Sequence, residues 1–239
     1  FYPENNGREG LFINIQALFL KFLIPIAGAP EPWMLRLPSA IFGILTVLGI
    51  YLLARELFSS PPVAMLSAFF IAASFWHINF SRIGFRAIMA PAFLVWALFF
   101  LLKSLDQTKN KFQTSNTKFQ IKNGLGFWKL KFRSLFENWN LKIGISAILG
   151  GLLYGLGFYS YIAYRATPLL IFFVALIYWR KNKESVTRKR IFFSVFYFLF
   201  SAAIVAAPLG IYFLENPQDF LGRTGQISIF SAGGARLPD

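Results

Sequence analysis

Two arginines four residues apart, Arg82 and Arg86, are the strongest candidates for chemistry in this chain. They stand in the stretch FWHINFSRIGFRAIMAP, residues 75–91, between two apolar segments that look able to cross a membrane. An arginine drawn into hydrocarbon is costly, so the pair should lie at the water interface or line a polar cavity. A guanidinium there suits a phosphate, because it is a planar fork of donors that keeps its charge. The alternative is that both arginines only anchor helix ends among lipid headgroups.

The composition indicates a membrane protein. Of the 239 residues 56% are hydrophobic, and the mean hydropathy is +0.54, which is too apolar for a soluble domain of this size. The chain has no cysteine, so disulfides are excluded. It starts with Phe rather than Met and its last residues favour a turn, so we expect a fragment of one longer transmembrane domain.

The apolar runs predict an all-α, polytopic transmembrane bundle with about six spanning helices. The predicted spans are residues 37–57, 63–80, 88–102, 143–161, 169–179 and 191–214. Residues 11–27 are also apolar, but polar side chains and Pro25 interrupt them. That pattern favours a helix lying in the membrane interface over a seventh span.

The basic residues sort onto two faces of this topology. The loops at 54–62, 103–142 and 180–190 carry 16 Lys or Arg, and the remaining eight fall on the other face. The positive-inside rule places the first group in the cytoplasm. The net charge of +14 therefore requires no nucleic acid. We expect residues 105–141 to be a cytoplasmic, basic, low-complexity insertion and residues 215–239 to be an outer loop.

The outer face is selective for arginine, with seven Arg and one Lys. Headgroup anchoring would be served equally well by lysine, so the selectivity indicates anions held in a defined geometry. Four outer side chains are candidates for lining a substrate site: Tyr159, Tyr161, Tyr164 and His77. The alternative for the tyrosines is an aromatic belt, and for the lone histidine a structural role. No His or Cys cluster indicates a metal.

Several motifs in their order resemble the GT-C membrane glycosyltransferases, chiefly protein O-mannosyltransferases of the family-39-like branch and bacterial aminoarabinose and lipopolysaccharide-sugar transferases. The segments are WMLRLPSAIFGILTV at 33–47, continuing to LARELF at 53–58, FSR at 80–82, GFYSYIAYRATP at 157–168, and NPQDFLGR at 216–223. The resemblance covers nearly the whole chain except the 105–141 insertion.

This resemblance implies a multi-pass enzyme of a plasma membrane of the bacterial inner-membrane type. It would act at the extracytoplasmic face and take a polyprenyl-phosphate-linked sugar donor and no cofactor. Arg82 is similar to a family arginine near the donor phosphate, and Arg8, Arg86 and Arg165 join it as candidate phosphate ligands. The family's catalytic carboxylate would lie upstream of residue 1, which leaves Glu9, beside Arg8, as the candidate base within this chain.

The acidic residue that often follows the family arginine is missing from residues 87–92, so the acceptor is unknown. A lipid-linked-saccharide flippase or transporter without transferase chemistry is the alternative function. Transporters tend to place polar groups at mid-membrane in broken helices, whereas here they cluster at one surface.

Overall fold

The computed structural model describes residues 10–106, 139–182 and 185–217, and within these ranges the chain is helical with no strand. Two short 3-10 segments, Arg86–Ile88 and Ile162–Ala166, interrupt the α-helices. The predicted all-α helix bundle is confirmed. The described helices are α1 Leu11–Ala27, α2 Pro32–Phe58, α3 Pro61–Ala72, α4 Phe75–Arg82, α5 Met89–Asp106, α6 Trp139–Gly157, α7 Thr167–Lys181 and α8 Ser185–Glu215.

Four helical segments in the described part are long and apolar enough to cross a membrane: Pro32–Phe58, Arg86–Leu105, Ile162–Lys181 and Thr187–Glu215. The bent pair of α3 and α4 makes a fifth if it is one span. The shorter apolar helices are α1 and residues Gly144–Gly157 of α6. Five of the six predicted spans thus correspond to these four segments and the bent pair. The remaining predicted span, residues 143–161, corresponds to the shorter helix α6.

Helix boundaries follow the turn residues of the sequence. Helix α1 covers the predicted residues 11–27 and ends at Gly28, which has a left-handed φ of +80°. Helix α2 stops at Ser59, and prolines at the first positions of α3 start a new helix, because proline lacks the N–H that a helix interior needs. Placement of α1 in the membrane interface stays a prediction.

The second predicted span, residues 63–80, is not one straight helix. It divides into α3 and α4, which are bent by 59° at Ala73 and Ser74. Ser74 adopts extended backbone angles, which interrupts the helical hydrogen bonds, and its carbonyl then accepts the first bond of α4 from Ile78 N–H. The bend itself was not predicted, because the apolar run continues through it with no Gly or Pro to mark it.

The fourth predicted span, residues 143–161, also ends earlier than expected. Helix α6 stops at Gly157, three turn residues follow, and Tyr161 is extended with φ −153°. The 3-10 segment Ile162–Ala166 then leads into α7. Tyr159 and Tyr161 therefore lie in a connecting link and not on a helix.

Glycines allow α6 to pack closely on its neighbours. A β-carbon added to Gly151 would lie 2.1 Å from the carbonyl oxygen of Phe198 in α8. One added to Gly155 would lie 2.7 Å from the carbonyl oxygen of Ala202. The Ser201 hydroxyl in α8 has its shortest hydrogen bond, 2.8 Å, to the Tyr197 carbonyl of its own helix and also lies 3.2 Å from the Ile148 carbonyl of α6. Close backbone approach of this kind is typical of helix pairs in membranes.

Candidate functional site

The α4–α5 link, residues 82–88, contains two arginines that have different environments. Arg82 closes the last turn of α4 and is exposed, whereas Arg86 opens the 3-10 segment and is only 9% exposed. The turn between them contains Gly84 with φ +74°, a conformation that glycine adopts without steric cost. The link therefore presents one guanidinium to the surroundings and holds the other inside.

The link packs against the beginning of α2. A β-carbon added to Gly84 would lie 3.4 Å from the Leu35 carbonyl oxygen and 3.7 Å from Cγ of Arg36. The same carbonyl accepts a hydrogen bond from Gln16 Nε2 at 2.8 Å, which ties α1 to α2 at this point. Arg36 is exposed, so this end of the bundle carries a second exposed guanidinium beside the link.

Arg86 connects the α4–α5 link with the α6–α7 link, which comprises residues 158–166. Its guanidinium carbon lies 5.8 Å from the centre of the Tyr161 ring, within cation–π range. The Tyr161 ring also meets the Phe85 ring edge-on at 6.3 Å between centroids. Phe85 continues a row of aromatic rings through Phe80 to Trp76. The structure thus brings Arg86 and Tyr161 together, although 75 positions separate them in the sequence.

The other two tyrosines of the α6–α7 link, Tyr159 and Tyr164, make different contacts. Tyr159 donates its hydroxyl to the Val205 carbonyl of α8 at 2.9 Å. Partial burial raises the pKa of the Tyr159 phenol above its usual value, so it stays a neutral donor. Tyr164 is 2% exposed and packs between Tyr154 and Phe158 in the core. These two predicted substrate-lining residues therefore pack within the protein.

Arg165 lies at the same end as the α6–α7 link. Its guanidinium carbon is 4.6 Å from the centre of the Phe213 ring near the end of α8. The side chain is half-buried. Arg82, Arg86, Arg36 and Arg165 are therefore placed at one end of the bundle, in agreement with the alternation of predicted spans.

His77 fastens α4 to α2. Its Nε2 lies 3.1 Å from the Gly43 carbonyl oxygen, and because a carbonyl only accepts, the ring nitrogen must donate. Gly43 is a point of close approach, since an added β-carbon would meet Cβ of Ser81 at 2.7 Å. This arrangement matches the structural alternative for the lone histidine.

The arginine-bearing end has few described carboxylates. Glu31 precedes α2 and Glu215 ends α8, and both are exposed. Arg8 and Glu9 lie outside the described residues, so their predicted roles are not addressed by the structure. Across the described ranges no group of three His, Cys, Asp or Glu side chains could hold a metal.

The sequence analysis missed the contact between α2 and α5, the helix that follows the α4–α5 link. Trp96 Nε1 donates to the Leu45 carbonyl at 3.0 Å. A β-carbon added to Gly49 would lie 2.8 Å from Cγ1 of Val95, so α5 approaches α2 closely there. The pattern of Gly43 and Gly49 on one helix was the available signal, because small residues mark helix contacts in membranes.

Comparison with known proteins gives one match. Residues 15–115 match the family model for dolichyl-phosphate-mannose-protein mannosyltransferases. The matched range runs from α1 through α5, so it contains Arg36, Arg82 and Arg86 and stops short of α6. No curated protein and no solved structure matches the chain. The chain is thus similar to these mannosyltransferases over 101 of its 239 residues.

Proposed function

We propose that this protein transfers a sugar from a polyprenyl-phosphate-linked donor to an acceptor hydroxyl. The observation that carries the proposal is the α4–α5 link, where Arg82 is exposed and Arg86 is held by Tyr161 at the same end of the bundle. The family match supports it, because the matched range contains both arginines. Arg82 remains the first candidate ligand of the donor phosphate, and Arg86 and Arg165 are further candidates.

The chemistry needs a growing negative charge to be stabilised. A carboxylate takes the proton of the acceptor hydroxyl, whose oxygen attacks the anomeric carbon from the face opposite the phosphate. The bond between that carbon and the phosphate oxygen breaks, and its electron pair leaves with the lipid phosphate, so the configuration inverts. Guanidinium groups fixed before the reaction stabilise that charge without reorganisation. Arg86, buried and within cation–π range of Tyr161, is such a group.

The base is a separate element of the proposal. Glu9 beside Arg8 is the candidate within the sequence, and a carboxylate upstream of residue 1 is the one that the family resemblance implies. Either would have to reach the arginine-bearing end, to which the first described helix, α1, is tied through Gln16.

We propose the extracytoplasmic face for this chemistry, on the strength of the charge asymmetry between loops. Cysteines placed at Ser81 and Ser185 in this cysteine-free chain test it. An impermeant thiol reagent applied to intact cells should label position 81 and spare position 185. The reverse labelling pattern would overturn the orientation.

The flippase alternative gains one structural observation, the 59° break between α3 and α4. Discontinuous helices form the midplane ion and substrate sites of many transporters. The residues at this break, Ala73 and Ser74, carry no charge, whereas the arginines lie at the end of the bundle. This distribution favours surface chemistry over passage across the membrane.

One experiment separates the two functions. The full-length protein is reconstituted in vesicles with a radiolabelled polyprenyl-phosphate mannose donor and a hydroxyl acceptor. A transferase releases one polyprenyl phosphate for each sugar bound to the acceptor. A flippase moves the intact donor between leaflets and releases none. Movement without release would contradict the proposed function.

A further inference from the structure

An apolar groove runs between α7 and α8, from Pro168 near the arginine-bearing end to Trp179 at the opposite end of α7. It consists of two adjoining cavities of about 390 and 280 Å³ that share Phe172, Ala175 and Val195 in their walls. The first extends to Pro168 and the second to Trp179, at opposite ends of α7. The lining is almost entirely aliphatic and aromatic.

The length of the groove fits a single lipid chain. Pro168 and Trp179 are eleven residues apart in α7, which at 1.5 Å per residue gives about 16 Å. The hydrocarbon core of a bilayer is about 30 Å thick, so the acyl chains of one leaflet extend over about 15 Å, which matches the length of the groove. A single acyl chain that enters from the Trp179 end would therefore be covered along its length.

The Trp179 end of the groove is strongly basic. Arg188 of α8 places its guanidinium carbon 5.6 Å from the centre of the Trp179 ring, and its Nε donates to the Asn182 carbonyl at 3.0 Å. Arg180 and Lys181 extend α7 by the next two residues and are exposed. The Trp179 end of the groove thus lies at the same end of α7 as these cations.

We propose that this groove binds an anionic phospholipid, with one acyl chain between α7 and α8 and its phosphate at Arg180, Lys181 and Arg188. The apolar wall, the length of one acyl chain and the cations clustered at the Trp179 end together select this occupant. Basic pockets between membrane helices recognise anionic headgroups in the same way. The three cations lie at the end opposite the donor arginines, so the proposed headgroup contacts are separate from those of the proposed transfer reaction.

The test is native mass spectrometry of the full-length protein released from vesicles of equal parts phosphatidylglycerol and phosphatidylcholine. Each Lys or Arg near an anionic surface favours binding about fivefold, so wild-type protein should retain one phosphatidylglycerol at least about fivefold over phosphatidylcholine. The triple variant Arg180→Gln/Lys181→Gln/Arg188→Gln removes all three cations of the proposed site and should lose that preference. The control Arg55→Gln/Lys103→Gln removes two cations from the last turns of α2 and α5 and should keep it.

A second variant tests the groove itself. Ala175→Phe fills the wall that both cavities share and should abolish retention of the lipid. Ala72→Phe makes the same change at an exposed position of α3 and should leave retention unchanged. Equal retention of the two lipids by wild-type protein, or full retention by Ala175→Phe, overturns the proposal. A groove closed by a second copy would appear as a dimer that retains no lipid, which overturns it as well.

Discussion

The packing of α6 on α8 gives a graded prediction at three glycines of one helix. A β-carbon at Gly151 would lie 2.0 Å from Ser201 Oγ and 2.1 Å from the Phe198 carbonyl oxygen. At Gly150 the nearest atom would be 3.1 Å away, and at Gly144 there is none within 4 Å. The obstacle at Gly151 includes backbone, so relief requires the two helices to move apart by more than 1 Å.

The expected cost follows from that displacement. Overpacking of a close-packed interior typically costs about 1–3 kcal/mol, and a gap of about 1 Å forfeits up to half of the contact energy of the atoms beside it. We expect Gly151→Ala to destabilise the fold by about 3 kcal/mol and Gly150→Ala by about 1 kcal/mol. Gly144→Ala should be neutral or stabilising by up to about 1 kcal/mol, because alanine loses less backbone entropy in a helix.

Detergent-induced unfolding, followed by circular dichroism on the purified full-length variants, measures these differences. The order of stability should be Gly144→Ala, then Gly150→Ala, then Gly151→Ala. Equal stability of the Gly144 and Gly151 variants would refute the close approach of α6 and α8.

Two further predictions concern the links at the arginine-bearing end. Gly84→Ala and Gly28→Ala both place alanine at a positive φ, at a cost of roughly 1–2 kcal/mol each, but only Gly84 lies beside the arginines. Sugar transfer by correctly inserted protein should therefore fall in Gly84→Ala and persist in Gly28→Ala, and equal activities would count against the site. Tyr159→Phe should lower stability by about 0.5–1.5 kcal/mol through loss of a hydrogen bond, as measured by thermal unfolding. Tyr164→Phe should be neutral or stabilising, because the buried Tyr164 hydroxyl has no hydrogen-bond partner in the described part of the structure. A larger loss of stability in Tyr164→Phe than in Tyr159→Phe would contradict this assignment of the two hydroxyls.

The sequence predicted the helix boundaries that Gly and Pro mark. The break at residues 59–62 and the end of α1 at Gly28 are local effects of backbone chemistry, so they are visible without a structure. The bend at Ala73 and Ser74 is not, because it depends on how α4 lies on α2 through His77 and Gly43. A run of apolar residues carries no information about such a distant contact.

The site was predictable in its location and less so in its details. Tyr159, Tyr161 and Tyr164 stand close together in the sequence, which suggested a shared role. The turn after α6 sends them to three different neighbours: the α8 backbone, the Arg86 guanidinium and the core. Likewise Arg82 and Arg86 look equivalent in sequence, and only the fold around Gly84 separates an exposed arginine from a buried one.

Sugar transfer by three Arg→Lys variants tests the central claim most directly. The assay follows transfer from a polyprenyl-phosphate donor by full-length protein in membranes. Arg82→Lys and Arg86→Lys keep the charge and lose the planar fork, so each should slow transfer by about 10²–10³, as loss of one donor to a developing charge does. Arg55→Lys makes the same change at an exposed position in the last turn of α2, at the opposite end, and should turn over at the wild-type rate. Wild-type turnover by all three variants would contradict the claim that these arginines hold the donor phosphate.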